Sequence, residues 1–457
     1  MNDRMQAIAR RTAMIPRLRH SAFRLFTVSD LITRRDLPGQ LAELTDYHQN
    51  GTIHDFTEAG ERYLQRILRV ATQCSPYYRD AIQPSGSMPA FGSAEWSEIP
   101  LLDRETLRNN MDTIRTLPQN CGFVQSNTTG GSTGEPLRID YLGGHDGEHQ
   151  EFLWELNGYE PGDLILALDG TVIQEEQLRA SRYWTVKNST NLPYGSMALS
   201  SHYFSSETED AYVDFLIRSR PAFLRGYPSF IHEIAKAFEK RSLRLDVKGV
   251  QLTSESHFEY QIKVIEKTLG PCFDQYGHAE ASVFGYSSPD DSTIYCAPTY
   301  GLVEVLDSNG RHVSEGDVGD IVVTGFHNFA MPLIRYKTGD RGKFRSREHG
   351  ITTLSSIEGR TQDVVYSHDG QAHRLTALVF GRHYAAFDSI SRWQILQREL
   401  GSVTFRIVRD SGYSKKDEME ISDTFDELAG IKCEFSYVDH IDRTPRGKSK
   451  LLIQEVL

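Results

Sequence analysis

Between Gly162 and Tyr276 the chain alternates short apolar runs with amphipathic ones, and this alternation narrows the fold more than any other feature. Segments 162–168 (GDLILAL), 247–253 (VKGVQLT) and 272–276 (CFDQY) have the length and apolar character of strands. Segments 208–220 and 260–269 carry helical spacing, and 223–229 (FLRGYPS) turns into a further helix running to Ala237. Strands that alternate with helices predict an α/β domain built on a largely parallel sheet.

The flanks have a different texture. Ahead of this region, 57–82 places Tyr63, Ile67, Val70, Ala71 and Cys74 on one helical face until SPYY breaks it. Asp103 stands where a cap would precede the short helix RETLR, and 148–156 predicts another helix. Behind it, 302–306, the turn 307–310 and 319–324 read as a β-hairpin region, and 351–354 as a short strand. From about Gly359 there is room for one small α+β domain. The expected organisation is a large domain over 1–358, with mixed sheets and helices, and a small mobile domain over 359–457.

With 457 residues and a formal charge of −12, the chain has no long basic run, so nucleic acid is a poor expected partner. No apolar stretch approaches the roughly 18–20 residues of a membrane span, and no secretory h-region opens the sequence. Arg4, Arg10, Arg11, Arg17, Arg19 and Arg24 make the N-terminus basic. A solvated basic helix is the plainer interpretation, with a transit peptide or a membrane-surface helix as alternatives. The odd cysteine count (Cys74, Cys121, Cys272, Cys296 and Cys433), without C-x-x-C, fits a reducing cytoplasm, which is the expected location. Cys272, His278 and Cys296 could share a metal, although their spacing matches no standard zinc pattern.

Residues 126–136, SNTTGGSTGEP, admit two interpretations. GGSTG matches the G-x-S-x-G turn of a serine nucleophile, which would make Ser132 the attacking group of a hydrolase. Such an elbow needs a helix directly after the serine. Instead Pro136 follows, and then LRIDYLG alternates: Leu137, Ile139 and Tyr141 face one way, Arg138 and Asp140 the other. A glycine-rich loop joining two strands fits better, and backbone N–H groups with Thr and Ser hydroxyls suit an anion. It is not a Walker A loop.

Further motifs follow in order: YGHAE (276–280), RYKTGD (335–340), EGRTQD (358–363) and TPRGKSK (444–450). Together with TTGGSTGEP, SPYYRD (75–80), IPLLDRETLR (99–108) and RGYPSF (225–230), this set resembles the adenylate-forming superfamily of acyl and aryl ligases. Within it the chain is most similar to the phenylacetate–coenzyme A ligase-like branch, including the capsular-polysaccharide-biosynthesis type.

The resemblance implies that a carboxylate attacks the α-phosphorus of ATP, giving acyl-AMP and pyrophosphate, before a nucleophile displaces AMP. Thr128, Thr129, Gly130, Gly131, Ser132, Thr133 and Gly134 would hold the β- and γ-phosphates. Glu280 would bind Mg²⁺, and Tyr276 would lie against adenine. Asp340 would accept the ribose hydroxyls with help from Arg360, and Ser254 and Glu255 would complete the nucleotide site. Lys448 would bridge the substrate carboxylate and the α-phosphate. Gln362 and Asp363 would form a hinge between the two half-reactions. Tyr227, Phe230, His278 and Phe284 would wall the acyl pocket, an aromatic set suited to a flat acid, although such residues also fill cores. Coenzyme A, a carrier protein or an amine would accept the acyl group, and a homodimer is an open assembly.

Three departures from the pattern bear on the details: Ala279 replaces a common hydroxyl residue, Leu137 a common Lys, and Gln362 a common acidic hinge residue. A non-catalytic nucleotide-binding protein of the same fold is therefore the alternative to a ligase.

Overall fold

The structure, a computed structural model, describes residues 21–82, 88–117, 124–128, 137–142, 146–360, 364–375, 378–379, 385–410 and 412–456. Compactness divides the chain differently from the expected 1–358 and 359–457. Met1–Tyr159 and Asp274–Ile357 form one unit, and Glu160–Phe273 and Glu358–Leu457 form the other.

In the first unit, helix Thr57–Cys74 buries Tyr63, Ile67, Val70 and Ala71 as its spacing predicts, and Leu64 and Leu68 widen the buried face. SPYY both ends this helix and starts the next. Ser75 is extended, and its side chain accepts the Tyr78 N–H, capping Pro76–Ala81. The sheet of this unit is antiparallel where its register is defined, in the order Gly301–Leu306, Val318–Gly325, Tyr336–Glu348, Ile351–Arg360, Asp291–Cys296, Phe284–Ser288 and Cys272–Gly277.

Val124–Thr128 and Arg138–Leu142 form a separate antiparallel pair with Thr128 opposite Arg138. The chain between them thus joins two strands, as expected, and Ser132 itself lies outside the described residues. One detail corrects the alternation. Asp140 is buried rather than outward, because Arg115 reaches it at 2.6 Å and Arg138 at 3.2 Å. Burial alone would raise its carboxyl, but the Ser126 hydroxyl, which donates to it, and these arginines together hold it below the ordinary range.

In the second unit, Gly249–Thr253, Phe223–Gly226, Ile165–Asp169 and Met197–Ser200 run parallel, and Trp184–Val186 closes the edge antiparallel. Helices Glu209–Ser219, Pro228–Lys240 and Glu259–Thr268 cover one face through Leu216, Ile231, Ile234, Phe238 and Ile265. The C-terminal residues add a second sheet in the order Lys432–Tyr437, Ser402–Arg409, Ile390–Glu399 and Leu452–Gln454, with helix Lys415–Ala429 between two of its strands.

Aromatic packing explains why these residues group with Glu160–Phe273. Phe258 and Tyr260 stack, and Phe387 and Trp393, themselves stacked at 5.2 Å, pack on them with centroid separations of 5.5–6.3 Å. A buried ion cluster adds to this. Glu233 receives both carboxylate contacts from Arg443 at 2.7 Å, and it also pairs with Arg392.

Candidate functional site

The first unit gathers one cluster at the end of strand Cys272–Gly277. The Tyr276 hydroxyl donates to Asp340 Oδ2 at 2.9 Å. Burial, with the neighbouring Asp340 charge, pushes the Tyr276 phenol well above its usual range, so it remains a donor. Asp340 is aimed by a bulge. Asp320 pairs with Arg341 and Val322 with Lys337, so Thr338, Gly339 and Asp340 bow out opposite Ile321. Gly339 takes φ +82°, and the Asp340 N–H donates to Thr338 Oγ1 at 3.0 Å. The T-G-D triplet of the sequence is this bulge.

Glu280 is buried and fully engaged. His278 Nδ1 lies 3.0 Å from Oε2, the Tyr336 hydroxyl donates to Oε1 at 3.2 Å, and Arg104 stands 3.8 Å from Oε1. Burial alone would raise its carboxyl, but the His278 contact, the local backbone N–H and Arg104 together hold it at about 2. The group is therefore a permanent anion with hard oxygens, which is the donor chemistry a magnesium ion requires.

Arg104 and Tyr336 were not singled out from sequence. Arg104 lay in the motif IPLLDRETLR and Tyr336 in RYKTGD. Leu102 pairs with strand residue Tyr336 through the bonds Leu102 N–H to Arg335 O at 3.0 Å and Lys337 N–H to Leu102 O at 2.9 Å. Asp103 caps the following helix at 2.7 Å from the Thr106 N–H, as expected, and this fixes Arg104 beside Glu280. Arg335 of RYKTGD has a structural role: it is buried on Glu304 and donates to the carbonyls of Trp96, Ser97 and Ile99.

The second unit gathers another cluster around Lys448. The segment TPRGK forms a tight hairpin turn. Gly447 N–H donates to Thr444 O at 2.7 Å, Thr444 N–H to Lys448 O at 2.9 Å, and Gly447 takes φ +76°. This turn is seated closely on Gly170 and Ser201. A Cβ on Gly447 would lie 2.3 Å from Gly170 Cα, and Ser201 Oγ donates to Gly447 O at 3.0 Å. Lys448 Nζ donates to Ser254 O at 3.0 Å and lies 5.5 Å from the Tyr227 ring centroid, while the Tyr227 hydroxyl donates to Arg446 O.

Ser254 holds a left-handed φ of +71°, a strained conformation for a non-glycine residue that presents its carbonyl to the lysine. Glu255 accepts N–H groups from Ser229 at 3.2 Å and Ser449 at 2.7 Å, and burial still raises its carboxyl above the usual range.

The remaining expected residues fall in different places. Phe230 packs in the helix–sheet core against Phe204 and Tyr212, and Phe284 packs on His149 and Tyr300, so both take the core role. His278 Nε2 is buried without a hydrogen-bond partner. Thr128 and Arg360 end their strands, and Thr129–Gly134, Gln362 and Asp363 lie outside the described residues. Among the described residues no three His, Cys, Asp or Glu side chains converge on a metal position. Burial pushes the Cys296 thiol up to about 12, which keeps it protonated. No described helix is long and apolar enough to cross a membrane.

This arrangement is the fold of the adenylate-forming ligases. A 2-hydroxyisobutyryl-CoA ligase in its postadenylation state superposes with a TM-score of 0.65 at 18% identity, over 87% of this chain and 89% of that one. Residues 366–455 match the CapK C-terminal domain family. Protein CapK of Staphylococcus aureus is 21% identical over 419 residues, covering 88% of this chain and 90% of its own length. Phenylacetate-coenzyme A ligase of Thermus thermophilus is 24% identical over 325 residues, or 67% of this chain and 70% of that protein.

Proposed function

We propose that the protein activates a carboxylic acid with ATP, releasing pyrophosphate and forming an acyl adenylate, and then transfers the acyl group to a thiol such as coenzyme A. The observation that carries this is the seating of Lys448. A lysine in a solvated charge run would extend into water. This one is delivered by a tight turn onto the strand ends, against a strained carbonyl and an aromatic face.

In the first step a carboxylate oxygen of the acid attacks the α-phosphorus and the bond to pyrophosphate breaks. Lys448 would exchange its Ser254 contact for the attacking carboxylate and the α-phosphate, neutralising charge as the bond forms. Tyr276 would support adenine, and Asp340 would take the ribose hydroxyls. The backbone and hydroxyls of Thr128–Gly134 would cradle the outer phosphates. Glu280 would hold a magnesium ion, whose chemistry would be to neutralise phosphate charge. In the second step the thiol sulfur attacks the acyl carbon, the thiol proton is lost, and AMP leaves. The body 359–457 would turn about Gln362 and Asp363 between steps, which would release Glu255 from Ser449 for the nucleotide.

The test is incubation with ATP, magnesium, hydroxylamine and a panel of acids, reading pyrophosphate and hydroxamate. Both should form together with at least one acid. ATP binding without either product would favour a non-catalytic nucleotide-binding protein.

A further inference from the structure

We propose that the acid bears a hydroxyl group at the end remote from its carboxylate, received by Gln251 and Arg225 on the sheet of the second unit; this rests on the ligase reading above. Gln251 is completely buried, and neither its Oε1 nor its Nε2 has a hydrogen-bond partner. Buried side-chain amides are nearly always satisfied, so an amide orphaned at both atoms marks a missing partner.

Its surroundings say what that partner is. Gln251 lies in register with Arg225, and Arg225 with Ala167, so the three share one face of the parallel strands. Ala198, in register with Ala167, continues the row with another small side chain. This is the face opposite Leu224, Val250 and Leu252, which pack in the helix-covered core. The Arg225 guanidinium stacks on the Tyr194 ring at 5.3 Å.

The same two strands lead to Lys448. Arg225 precedes Tyr227 by two residues, and Gln251 precedes Ser254 by three, and both of those residues touch the lysine. At a strand rise of about 3.3 Å per residue, the polar pair lies about 7–10 Å below the place where the acid's carboxylate would meet Lys448. Ligands of parallel α/β sheets bind at these carboxyl ends.

The chemistry selects the substituent. An amide with both a free donor and a free acceptor is completed by a group that also donates and accepts, which a hydroxyl does and a carboxylate or an alkyl group does not. Arg225 adds a further donor to the same oxygen.

The test is calorimetric titration of matched acids in the presence of a non-hydrolysable ATP analogue. The pairs are para-hydroxyphenylacetate with phenylacetate, para-coumarate with cinnamate, and omega-hydroxyhexanoate with hexanoate. At least one hydroxylated acid should bind about ten-fold or more tighter than its partner, because a site built for a hydroxyl rejects the analogue lacking it. Gln251→Met, which conserves volume, should bring that preference to within about two-fold while ATP binding is unchanged. Equal binding within every pair, as expected if water alone satisfies Gln251, overturns the proposal, as does a preference that survives Gln251→Met. The wild-type ratio does not depend on the variant folding. Pyrophosphate release, measured separately, judges the ligase reading: its absence with every acid would strike that reading while the binding ratio still decides the hydroxyl site.

Discussion

Glu233→Gln removes one charge from the buried cluster that ties the C-terminal residues to helix Pro228–Lys240. The wild-type carboxylate is 6% exposed, and it accepts two bonds of 2.7 Å from Arg443, whose side chain is also 6% exposed. The neutral amide can accept one such bond and turns its N–H₂ toward a guanidinium, leaving Arg443 as a buried, unbalanced cation. Arg392, the second partner, is more exposed and regains water, so the loss centres on Arg443. Breaking a buried pair in this way costs about 3–5 kcal/mol, whereas an exposed pair costs under about 1 kcal/mol. Urea unfolding followed by tryptophan fluorescence should show this loss, since Trp393 belongs to the aromatic cluster of the same unit. Limited proteolysis should cut the variant first within 358–457. Adding Arg443→Gln should cost less than the sum of the two single changes. A loss below about 1 kcal/mol for Glu233→Gln, with no change in proteolysis, would refute the reasoning.

Two further outcomes follow from the same geometry. Because the Glu280 carboxyl is held at about 2 against an ordinary 4.5, its contribution to stability is complete above about pH 4.5 and is lost as pH falls through about 2. The shift corresponds to about 3 kcal/mol, so Glu280→Gln should flatten the pH dependence of unfolding in that window, and parallel curves for the two proteins would count against the assignment. Gly447→Ala introduces a Cβ 2.3 Å from Gly170 Cα and 2.4 Å from Ser201 Oγ at a φ of +76°. Hydroxamate formation should fall by about 100-fold or more as the lysine turn is unseated, with ATP affinity within a few-fold of wild type by titration.

Local chemistry made part of this legible. The Asp103 cap, the face of helix Thr57–Cys74 and the two strands flanking SNTTGGSTGEP follow from short-range spacing, glycine and turn residues. What escaped depends on partners far away in the chain. Nothing near Glu233 marks it for Arg443, 210 residues on, and Gly447 looks like ordinary turn glycine until Gly170 stands against it. Asp140 follows a polar alternation yet turns inward, because Arg115 waits in the core. The grouping of the C-terminal residues with Glu160–Phe273 rests on Phe258 and Tyr260 meeting Phe387 and Trp393, a match that no single-segment pattern encodes. Phe230 and Phe284 show the converse: motif position suggested a pocket wall, whereas packing makes them core.

The central claim is that Lys448 serves acid activation. The most direct measurement is acid-dependent pyrophosphate release by wild type and Lys448→Ala at saturating ATP and magnesium, with ATP affinity measured in parallel. The account predicts that the variant loses at least about 100-fold in the rate of release while its ATP affinity changes no more than a few-fold. Equal rates of release from the two proteins would contradict it.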